Sequence, residues 1–534
     1  MSERIEARIA AMAVDRLLDP PAGERPVIEF RSPQQLLELF ADTVRLPLGD
    51  EVEANADDAL LAAVEQVIRY SVQTSHPRFF NQNFAGPDPI AVVGDWLGAL
   101  LNTTGATFEA APVFTLMESA VLDKLARLVG WSAAGKMESP DDGRMESPGD
   151  GGPTGPETGP PTGSVPVLPP GLFCPGGSTA TLYALQLARH RRQPDIVTTG
   201  ANGDRLVLFV SESGHYAATK SAALLGLGTD AVIKVPTDHG GAIDPRALAR
   251  AVVVAEHRGD VPFAVIGTAG TTVTSAFDDL DALADICGDH DLWFHVDGCY
   301  GASALFSRTH ADLLFGVDRS DSVVWNLHKM MGMTQQCTAL LVRDPSRLAP
   351  CFAASADYLF QPDKQFGDYD SGDRTFQCAR RIDALKLWLT WKARGDRGLA
   401  ERVDHAVAMA DHARAVIAGS QGVFVPVVDG RFTNVVFSWV PPDLRPVGPG
   451  ASGIVALEPE ARSRLHRLPP LIKARMQRQG TAMVGFQPVH GLNTFRLLFM
   501  NPAVTTDDVE TALALIDRYG SEVDAGTGSV SPVP

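Results

Sequence analysis

Cysteine is scarce in this chain and widely scattered. The six cysteines include no CxxC pair and show no close spacing of the kind found among zinc ligands. A small disulfide-bonded scaffold or a zinc-binding module needs such clusters. We therefore interpret all six as reduced thiols and expect no metal site built from them.

Basic residues and long apolar runs are also in short supply. Lysine and arginine number 46 against 64 aspartate and glutamate residues, and the formal net charge of -18 should repel the phosphate backbone of a nucleic acid. No stretch approaches the length of a membrane span, and the charged N-terminus lacks the continuous apolar core of a signal peptide. We expect a cytoplasmic protein that binds neither nucleic acid nor membrane.

Three common motifs are missing or misplaced. Neither HExxH nor GxSxG occurs, so metalloprotease and α/β-hydrolase functions have no local support. The segment GLGTDA at 226–231 has the outline of a dinucleotide fingerprint, but it follows the helical run SAALL instead of a strand. We interpret this segment as the end of a helix.

Apolar residues are plentiful, and their pattern predicts an α/β protein. They make up 45% of the 534 residues, enough for two or three packed regions. Buried-strand patterns alternate with helical stretches between about residues 76 and 394, as in LVLFVSE, LWFHVDG and SVVWNLHK. This alternation predicts a mainly parallel sheet covered by helices.

Four regions are expected along the chain. They are a helical arm (1–95), a large domain (96–395), a small α+β domain (396–518) and a disordered tail (519–534). Residues 133–170 of the large domain are dominated by Gly, Pro, Ser, Thr and acids, and they contain the near-repeat KMESPDDG and RMESPGDG. We expect a disordered surface insertion there, and a solvated linker is favoured over a partner-binding segment.

Charged residues at two strand ends predict a covalently bound aldehyde cofactor. A cofactor held as a Schiff base needs a lysine, an acid beside its pyridine nitrogen and a cradle for its phosphate. Asp297 ends LWFHVD, and His328 and Lys329 follow SVVWNL, so neighbouring parallel strands should carry them to one rim. We expect Lys329 to form the Schiff base and Asp297 to hold the protonated pyridine nitrogen.

A glycine-rich loop before a helix supplies the expected phosphate cradle. In FCPGGSTATLYALQLARHR, Gly177 permits a close backbone approach, and Ser178 offers a hydroxyl and an N–H group. His215, which follows the strand-like LVLFV, is placed to stack over a ring. A single strand-end acid or histidine is usually structural, but the ordered combination favours a functional site.

Many segments, in order, resemble the acidic-amino-acid branch of the pyridoxal-phosphate (PLP) decarboxylase family. That branch includes glutamate, cysteine-sulfinate and aspartate decarboxylases, and the resemblance runs from about residue 57 to residue 518. The segments that carry it include HPRFFNQNFAG, FCPGG, SGHYAATKSAALLGLGTD, GTAGTTVTSAFDDL, FHVDG, NLHKMMG, DYDSGDRTFQCARRIDALKLWLTWKARG and NTFRLLFMNPA. The resemblance implies a fold-type I (aspartate aminotransferase-like) enzyme with a seven-stranded sheet. It also implies a homodimer with active sites at the subunit interface.

The resemblance assigns roles to individual residues. Lys329 would hold PLP, His215 would cover its ring, and Tyr358 in ADYLF would return a proton to the substrate after carbon dioxide leaves. A tyrosine near its reference pKa of about 10 stays protonated at neutral pH and can serve as that acid. Gln82 and Arg496 match residues that hold the distal acid group, which a guanidinium can bind through two hydrogen bonds. The expected cofactor-binding residues are Gly177, Ser178, His215, Thr268, Asp297, Cys299, His328 and Lys329.

Two positions bear on the choice of substrate. Phe84 falls where the resemblance gives serine in glutamate decarboxylases and an aromatic residue in cysteine-sulfinate and aspartate decarboxylases. A larger side chain shortens the pocket and favours a shorter acid, although one methylene is worth only about 1 to 3 kcal/mol of discrimination. HVDGCYGA replaces the usual HVDAAWGG and puts Cys299 where alanine contacts the underside of the cofactor ring. We interpret Cys299 as a packing substitution, since a buried thiol behaves as a small hydrophobic group.

The expected reaction is α-decarboxylation of cysteine sulfinate or aspartate, giving hypotaurine or β-alanine. Glutamate decarboxylation to 4-aminobutyrate is one alternative. A second is oxidative deamination to an aldehyde, which Tyr358 disfavours because relatives with that outcome replace the loop tyrosine. A third is an inactive binding or regulatory protein on the same fold, in which loss of Lys329, Asp297 or His215 would be expected; all three are present.

Overall fold

The computed structural model describes residues 4–41, 56–131, 168–354, 356, 364, 366–448 and 450–526. Tyr358 lies outside the described residues, as does the expected insertion apart from residues 168–170. All six cysteines are free thiols. Within the described ranges, no helix has both the length and the apolar character needed to cross a membrane.

The strands form two separate sheets. The strands are β1 (Phe79–Phe80), β2 (Gly171–Cys174), β3 (Leu206–Ser211), β4 (Val232–Val235), β5 (Val261–Thr268), β6 (Trp293–Asp297), β7 (Ser322–Asn326), β8 (Thr338–Val342), β9 (Phe424–Pro426), β10 (Asn434–Trp439), β11 (Met483–Val489) and β12 (Leu492–Leu498). Seven of them, β2 to β8, form the large sheet, and the other five form a second sheet.

Helices flank both sheets. The helices are α1 (Ile5–Leu18), α2 (Pro33–Leu39), α3 (Ala56–Tyr70), α4 (Pro89–Leu101), α5 (Pro112–Leu128), α6 (Gly177–Arg192), α7 (Ile196–Thr199), α8 (Ala217–Leu224), α9 (Pro245–His257), α10 (Leu280–Asp289), α11 (Leu348–Phe352), α12 (Ala384–Ala418), α13 (Gly450–Val455), α14 (Pro459–Gln479) and α15 (Thr506–Asp524). Helix α3 lies within the predicted helical arm.

The large sheet has the strand order β2-β8-β7-β6-β5-β3-β4. Only β8 in this sheet runs antiparallel to its neighbours β2 and β7, and the remaining pairs are parallel. Every residue of β3 and β7 is buried, as expected for strands covered on both faces. The predicted mainly parallel sheet is therefore confirmed.

Side chains of each central strand alternate between two hydrophobic cores. In β3, Val207 and Phe209 pack into the core that includes residues of α9 and α10. Leu208 and Val210 pack into the opposite core, which includes residues of α6. This period of two follows from the pleat of a strand. The sheet is thus covered by helices on both faces, which leaves the strand ends as the place for a site.

The second sheet joins the two ends of the chain. Its strand order is β1-β11-β12-β10-β9, and β1 pairs in parallel with β11 through Phe79 opposite Met483. The N-terminal arm therefore contributes a strand to the C-terminal domain. Helix α12 crosses the expected domain boundary, with a break at Gly395, where φ is 66°.

The predicted start of the disordered tail, at residue 519, is wrong. Helix α15 continues to Asp524, because Tyr519 and Gly520 are buried on its inner face. A Cβ atom at Gly520 would lie 2.6 Å from the Trp439 ring, so the helix packs closely against β10 at this point. Residues 527–534 lie outside the described residues.

Candidate active site

The carboxyl ends of three parallel strands meet at one rim of the large sheet. Thr268 ends β5, Asp297 ends β6 and Asn326 ends β7, and Thr268 pairs directly with Asp297 in the sheet register. Lys329 lies in the turn after β7, where its backbone N–H donates to the Asn326 carbonyl at 3.1 Å. Parallel strands present their carboxyl ends together, so a short loop is enough to bring lysine, carboxylate and hydroxyl to one place.

These residues line a cavity of about 120 Å³. The lining residues are Gly177, Ser178, Thr181, His215, Ala217, Thr268, Gly270, Thr272, Asp297, Cys299, Tyr300, Asn326 and Lys329. Every cofactor-binding residue expected from the sequence lines this cavity except His328. The structure therefore brings together residues that are up to about 150 positions apart in the chain.

The start of helix α6 faces the cavity with free backbone donors. Gly176 precedes it with φ of 95°, and no side chain among the described residues caps this helix start. A Cβ atom on Gly177 would lie 2.4 Å from Cys299 Sγ and 2.9 Å from Asn326 Nδ2, so only glycine fits there without displacing them. Uncapped N–H groups at a helix start bind anions well, and a phosphate is the natural occupant.

His215 and Asp297 lie on the cavity wall with defined partners. His215 Nδ1 accepts the Ala217 N–H at 3.2 Å, and burial, followed by the charge of Lys329, lowers the pKa of the ring. The ring is therefore neutral at physiological pH and can stack on another ring. Asp297 Oδ1 accepts the Cys299 N–H at 3.1 Å. Burial, followed by the charge of Asp297, raises the pKa of Cys299, so its sulfur remains a thiol.

Thr268 offers the cavity an unused hydrogen-bonding group. Its Oγ1 is buried without a protein partner. Its backbone N–H donates at 2.7 Å to Asp278 Oδ2, while Asp278 Oδ1 accepts the Ile243 N–H at 2.7 Å. Burial raises the pKa of Asp278 to about 7. Sequence reasoning missed Asp278, which holds the end of β5 in position through these two backbone contacts.

His328 lies beside the site and outside the cavity lining. Its Nδ1 accepts the Cys337 N–H at 3.1 Å, and burial lowers its pKa to about 4. The neutral ring thereby connects the turn that carries Lys329 to Cys337, the residue before β8. The structure supports a positioning role for His328, and the expected direct contact with the cofactor stays a prediction.

The chemistry of the cavity fits PLP. Lys329 supplies an amine, Asp297 a carboxylate, Thr268 a free hydroxyl, and the start of α6 a set of anion-binding N–H groups. These are the groups that an aldehyde, a pyridine nitrogen, a ring oxygen and a phosphate require. The residues that would hold the cofactor are therefore present in one cavity of a single chain.

Arg496 is a buried cation next to this cavity. It lies in β12 opposite Val436 of β10, and its side chain reaches the cavity-lining loop that contains Thr272. Nη1 donates to the Thr272 carbonyl at 2.8 Å and Nη2 to the Asn81 carbonyl at 3.3 Å. Nε is buried without a partner, and burial lowers the pKa of the guanidinium. No ion pair joins Arg496 to a carboxylate among the described residues, so it can accept an anionic ligand.

Gln82 and Phe84 do not line the cavity formed by this chain. Gln82 is exposed, and Phe84 is half-buried against Phe79, with ring centroids 5.9 Å apart. The segment still comes close to the candidate substrate residue, since Asn81 accepts a hydrogen bond from Arg496. The expected contacts of Gln82 and Phe84 with the substrate stay predictions.

Six lining residues were not predicted from the sequence: Thr181, Ala217, Gly270, Thr272, Tyr300 and Asn326. Asn326 is the last residue of β7, so the strand-end argument that identified Asp297 would also have identified it. Tyr300 is 2% exposed, and its hydroxyl donates to Asn434 Oδ1 at 2.9 Å. The sequence gives no signal for this contact, because its partner is more than 130 residues away in the other domain.

Comparisons with known proteins agree with this geometry. The sequence profile of the pyridoxal-dependent decarboxylase conserved domain matches residues 43–151 and 162–440. Cysteine sulfinic acid decarboxylase of Mus musculus is 41% identical over 514 residues, covering 95% of this chain and 94% of that protein. Acidic amino acid decarboxylase GADL1 of Bos taurus is 41% identical over 501 residues, covering 93% of this chain and 87% of that protein.

A solved structure extends the similarity to three dimensions. The crystal structure of mouse CSAD in apo form matches with a TM-score of 0.84 and 40% identity, covering 97% of this chain and 98% of that one. The expected fold-type I architecture is thereby confirmed. The chain belongs to the pyridoxal-dependent decarboxylase family, and it is a PLP-dependent amino-acid decarboxylase.

Proposed function

We propose that this enzyme removes the α-carboxylate of a small acidic amino acid, with cysteine sulfinate or aspartate preferred. Hypotaurine or β-alanine would be the product. The observation that carries the proposal is Arg496, a buried guanidinium beside the cavity with an unpartnered Nε and no carboxylate partner in the described part of the chain. A buried cation of this kind needs an anion, and the distal acid group of the substrate supplies one.

The names of similar proteins point to the same substrate class. Relatives at 41% identity include a cysteine sulfinic acid decarboxylase and an acidic amino acid decarboxylase. The preference for the shorter acids rests on these names and on the aromatic character of Phe84. Glutamate remains the second candidate, because it carries the same distal charge on a side chain only one methylene longer than that of aspartate.

Different residues of the chain would bind the cofactor and donate the proton. Bound PLP supplies an electron sink for the bond that breaks. Lys329 would hold the cofactor covalently, and Asp297 would keep its pyridine nitrogen protonated. His215, neutral through burial, would cover the ring. Tyr358 would donate a proton to the substrate α-carbon; it lies outside the described residues, so this role rests on the resemblance alone.

The test is a parallel product assay. Purified, PLP-loaded protein would be offered cysteine sulfinate, aspartate and glutamate separately, and amine formation would be followed by chromatography. We expect the largest kcat/KM for one of the two shorter acids. Preference for glutamate would reverse the substrate order, and no amine from any of the three acids would reject the proposed function.

We also propose that the enzyme works as a homodimer. Helix α4 exposes a row of apolar side chains, and such a patch on a folded chain favours burial against a partner. The exposed residues are Val93, Trp96, Leu97, Leu100 and Leu101. A second copy is the proposed partner.

A further inference from the structure

A chain of buried hydrogen bonds links Tyr300 to Arg496. The Tyr300 hydroxyl donates to Asn434 Oδ1 at 2.9 Å, and Asn434 Nδ2 donates to the Thr272 carbonyl at 3.0 Å. Arg496 Nη1 donates to the same carbonyl at 2.8 Å. A carbonyl oxygen has two lone pairs, so it can accept both bonds at once. Tyr300, Asn434 and Arg496 are 2%, 1% and 5% exposed, and water therefore competes little for these contacts.

The link crosses the boundary between the two domains. Tyr300 follows β6 of the large sheet, whereas Asn434 begins β10 of the second sheet. In that sheet Val436 is paired with Arg496 and Asn434 with Leu498. Residues two apart on one strand share a face with their cross-strand partners, so Asn434 and Arg496 lie on the same face. Both side chains reach the large-domain loop that contains Thr272.

The Asn434 side chain anchors this loop at several points. Besides the Thr272 carbonyl, Nδ2 donates to the Val273 carbonyl at 3.1 Å, and the Asn434 backbone N–H donates to Ser275 Oγ at 3.2 Å. An asparagine amide can donate only from its nitrogen. The orientation of the Asn434 amide therefore decides whether the loop carbonyls are held or repelled.

Tyr300 fixes that orientation. Its hydroxyl donates its one proton to Oδ1, which leaves Nδ2 facing the Thr272 and Val273 carbonyls. The Tyr300 oxygen also contacts Thr433 Oγ1 and accepts from Ser275 Oγ at 3.5 Å, so these two hydroxyls act as donors to it. Burial raises the pKa of Tyr300 to about 12, so the hydroxyl keeps its proton at neutral pH. The ring is held edge-on by Phe432 at a centroid distance of 5.3 Å. With the amide reversed, Oδ1 would face the Thr272 and Val273 carbonyls. Oδ1 and the Val273 carbonyl would then lack a donor, and the Thr272 carbonyl would keep only its bond from Arg496.

We propose that Tyr300 and Asn434 are positioning residues that set where Arg496 holds the distal acid group of the substrate. This inference rests on the proposed function of Arg496. Among the described residues, the guanidinium donates hydrogen bonds only to the backbone carbonyls of Thr272 and Asn81. Tyr300 and Asn434 fix the position of the Thr272 carbonyl. A small displacement of Thr272 moves Nη1, and a bidentate contact with an acid tolerates little displacement.

The main test is Tyr300→Phe, which removes only the hydroxyl. For whichever of cysteine sulfinate and aspartate the wild type prefers, we expect KM to rise about tenfold, because the contact that orients Asn434 is lost together with those to Thr433 and Ser275. We expect kcat to change by less than about twofold, because the distal group is held equally before and during reaction. Cofactor absorbance should be unchanged. Tyr519→Phe, at a 3% exposed tyrosine of α15, is the matched control and should leave KM unchanged.

A double-variant cycle separates positioning of Arg496 from general packing. In an Arg496→Lys background the two carbonyl contacts of the guanidinium are replaced, so adding Tyr300→Phe should raise KM by less than about twofold more. A tenfold effect that persists in this background would overturn the inference, as would an unchanged KM in the single variant or a loss of bound cofactor.

Asn434→Asp gives a second route if Tyr300→Phe folds poorly. The change is isosteric but puts a carboxylate oxygen against the two loop carbonyls, so KM should rise while cofactor absorbance stays constant. An unchanged KM in Asn434→Asp would overturn the inference. Absence of amine from any acidic substrate with the wild type would instead reject the proposed function.

Discussion

At the scale of single residues, the cavity combines groups at strand ends and a glycine loop with groups held by contacts to other segments. A strand end or a glycine loop leaves a local pattern in the sequence. Asp297, Lys329 and Gly177 were predicted from such positions, and all three line one cavity. The sequence could not identify Tyr300 or Asp278, because their functions arise from contacts with distant segments. A local pattern reports a strand end, whereas a buried hydrogen bond between domains leaves no local pattern.

Gly177→Ala should weaken cofactor binding. The new Cβ would lie 2.4 Å from Cys299 Sγ and 2.9 Å from Asn326 Nδ2, which forces the start of α6 or its neighbours to shift. We expect the dissociation constant for PLP, measured by absorbance titration, to rise at least about tenfold because of this overpacking. Adding Cys299→Ala should restore part of the affinity, since it removes the closer contact.

The control for that change is Gly288→Ala. Gly288 is a glycine of α10 with nothing within 4 Å of a Cβ atom, so its replacement should leave the PLP dissociation constant unchanged. If Gly177→Ala bound PLP as tightly as the wild type, the start of α6 would not approach the cofactor, and the proposed phosphate cradle would be wrong.

At the scale of elements, the strands of the large sheet were predictable because they are buried on both faces. LVLFVS and SVVWN are continuous apolar runs, and they form β3 and β7. The antiparallel direction of β8 was not predictable, since direction depends on the connection and leaves the side-chain pattern unchanged. Helix α15 extends past the predicted start of the tail because Gly520 packs against Trp439 of β10, a contact that the local sequence does not record.

Strand β6 should make the enzyme sensitive to mild acid. His295 is fully buried, and burial lowers its pKa to about 4. In the unfolded chain the pKa of His295 is near 6.5, so below that pH the unfolded state binds a proton that the folded state does not bind. The free energy of unfolding therefore falls as the pH drops from about 6.5 towards 4, by about 2 kcal/mol at pH 5 from this residue.

The measurement is urea unfolding at pH 7 and pH 5. His295→Gln should lose less stability between these two pH values than the wild type, by about 2 kcal/mol. His257→Gln, at an exposed histidine of α9, should lose as much as the wild type. Equal losses for His295→Gln and the wild type would show that His295 does not resist protonation in the folded state.

At the scale of the whole molecule, the two ends of the chain are joined in one sheet. Phe79 of β1 pairs with Met483 of β11 across some 400 residues, and the 81–84 segment that follows β1 comes close to Arg496. The sequence placed these residues in separate regions, because no local pattern records a pairing at that distance. The fold thus assembles the candidate substrate site from both ends of the chain and the large domain.

Leu100→Glu should weaken the proposed homodimer. Leu100 is 78% exposed in the apolar row of α4, and a charge there would have to be buried if a second copy covers that row. We expect light scattering at micromolar concentration to show a dimer for the wild type and a shift towards monomer for the variant. Val254→Glu, at a 54% exposed valine of α9, should stay dimeric. A monomeric wild type, or a variant as dimeric as the wild type, would contradict this surface as the interface.

Identifying the lysine that holds the cofactor tests the assignment of the active site most directly. PLP-saturated enzyme would be reduced with borohydride, digested and analysed by mass spectrometry. We expect a pyridoxyl group on Lys329, the lysine in the cavity formed by the ends of β5, β6 and β7. An unmodified Lys329 in cofactor-saturated protein, or a pyridoxyl group on another lysine, would show that the cofactor is held elsewhere.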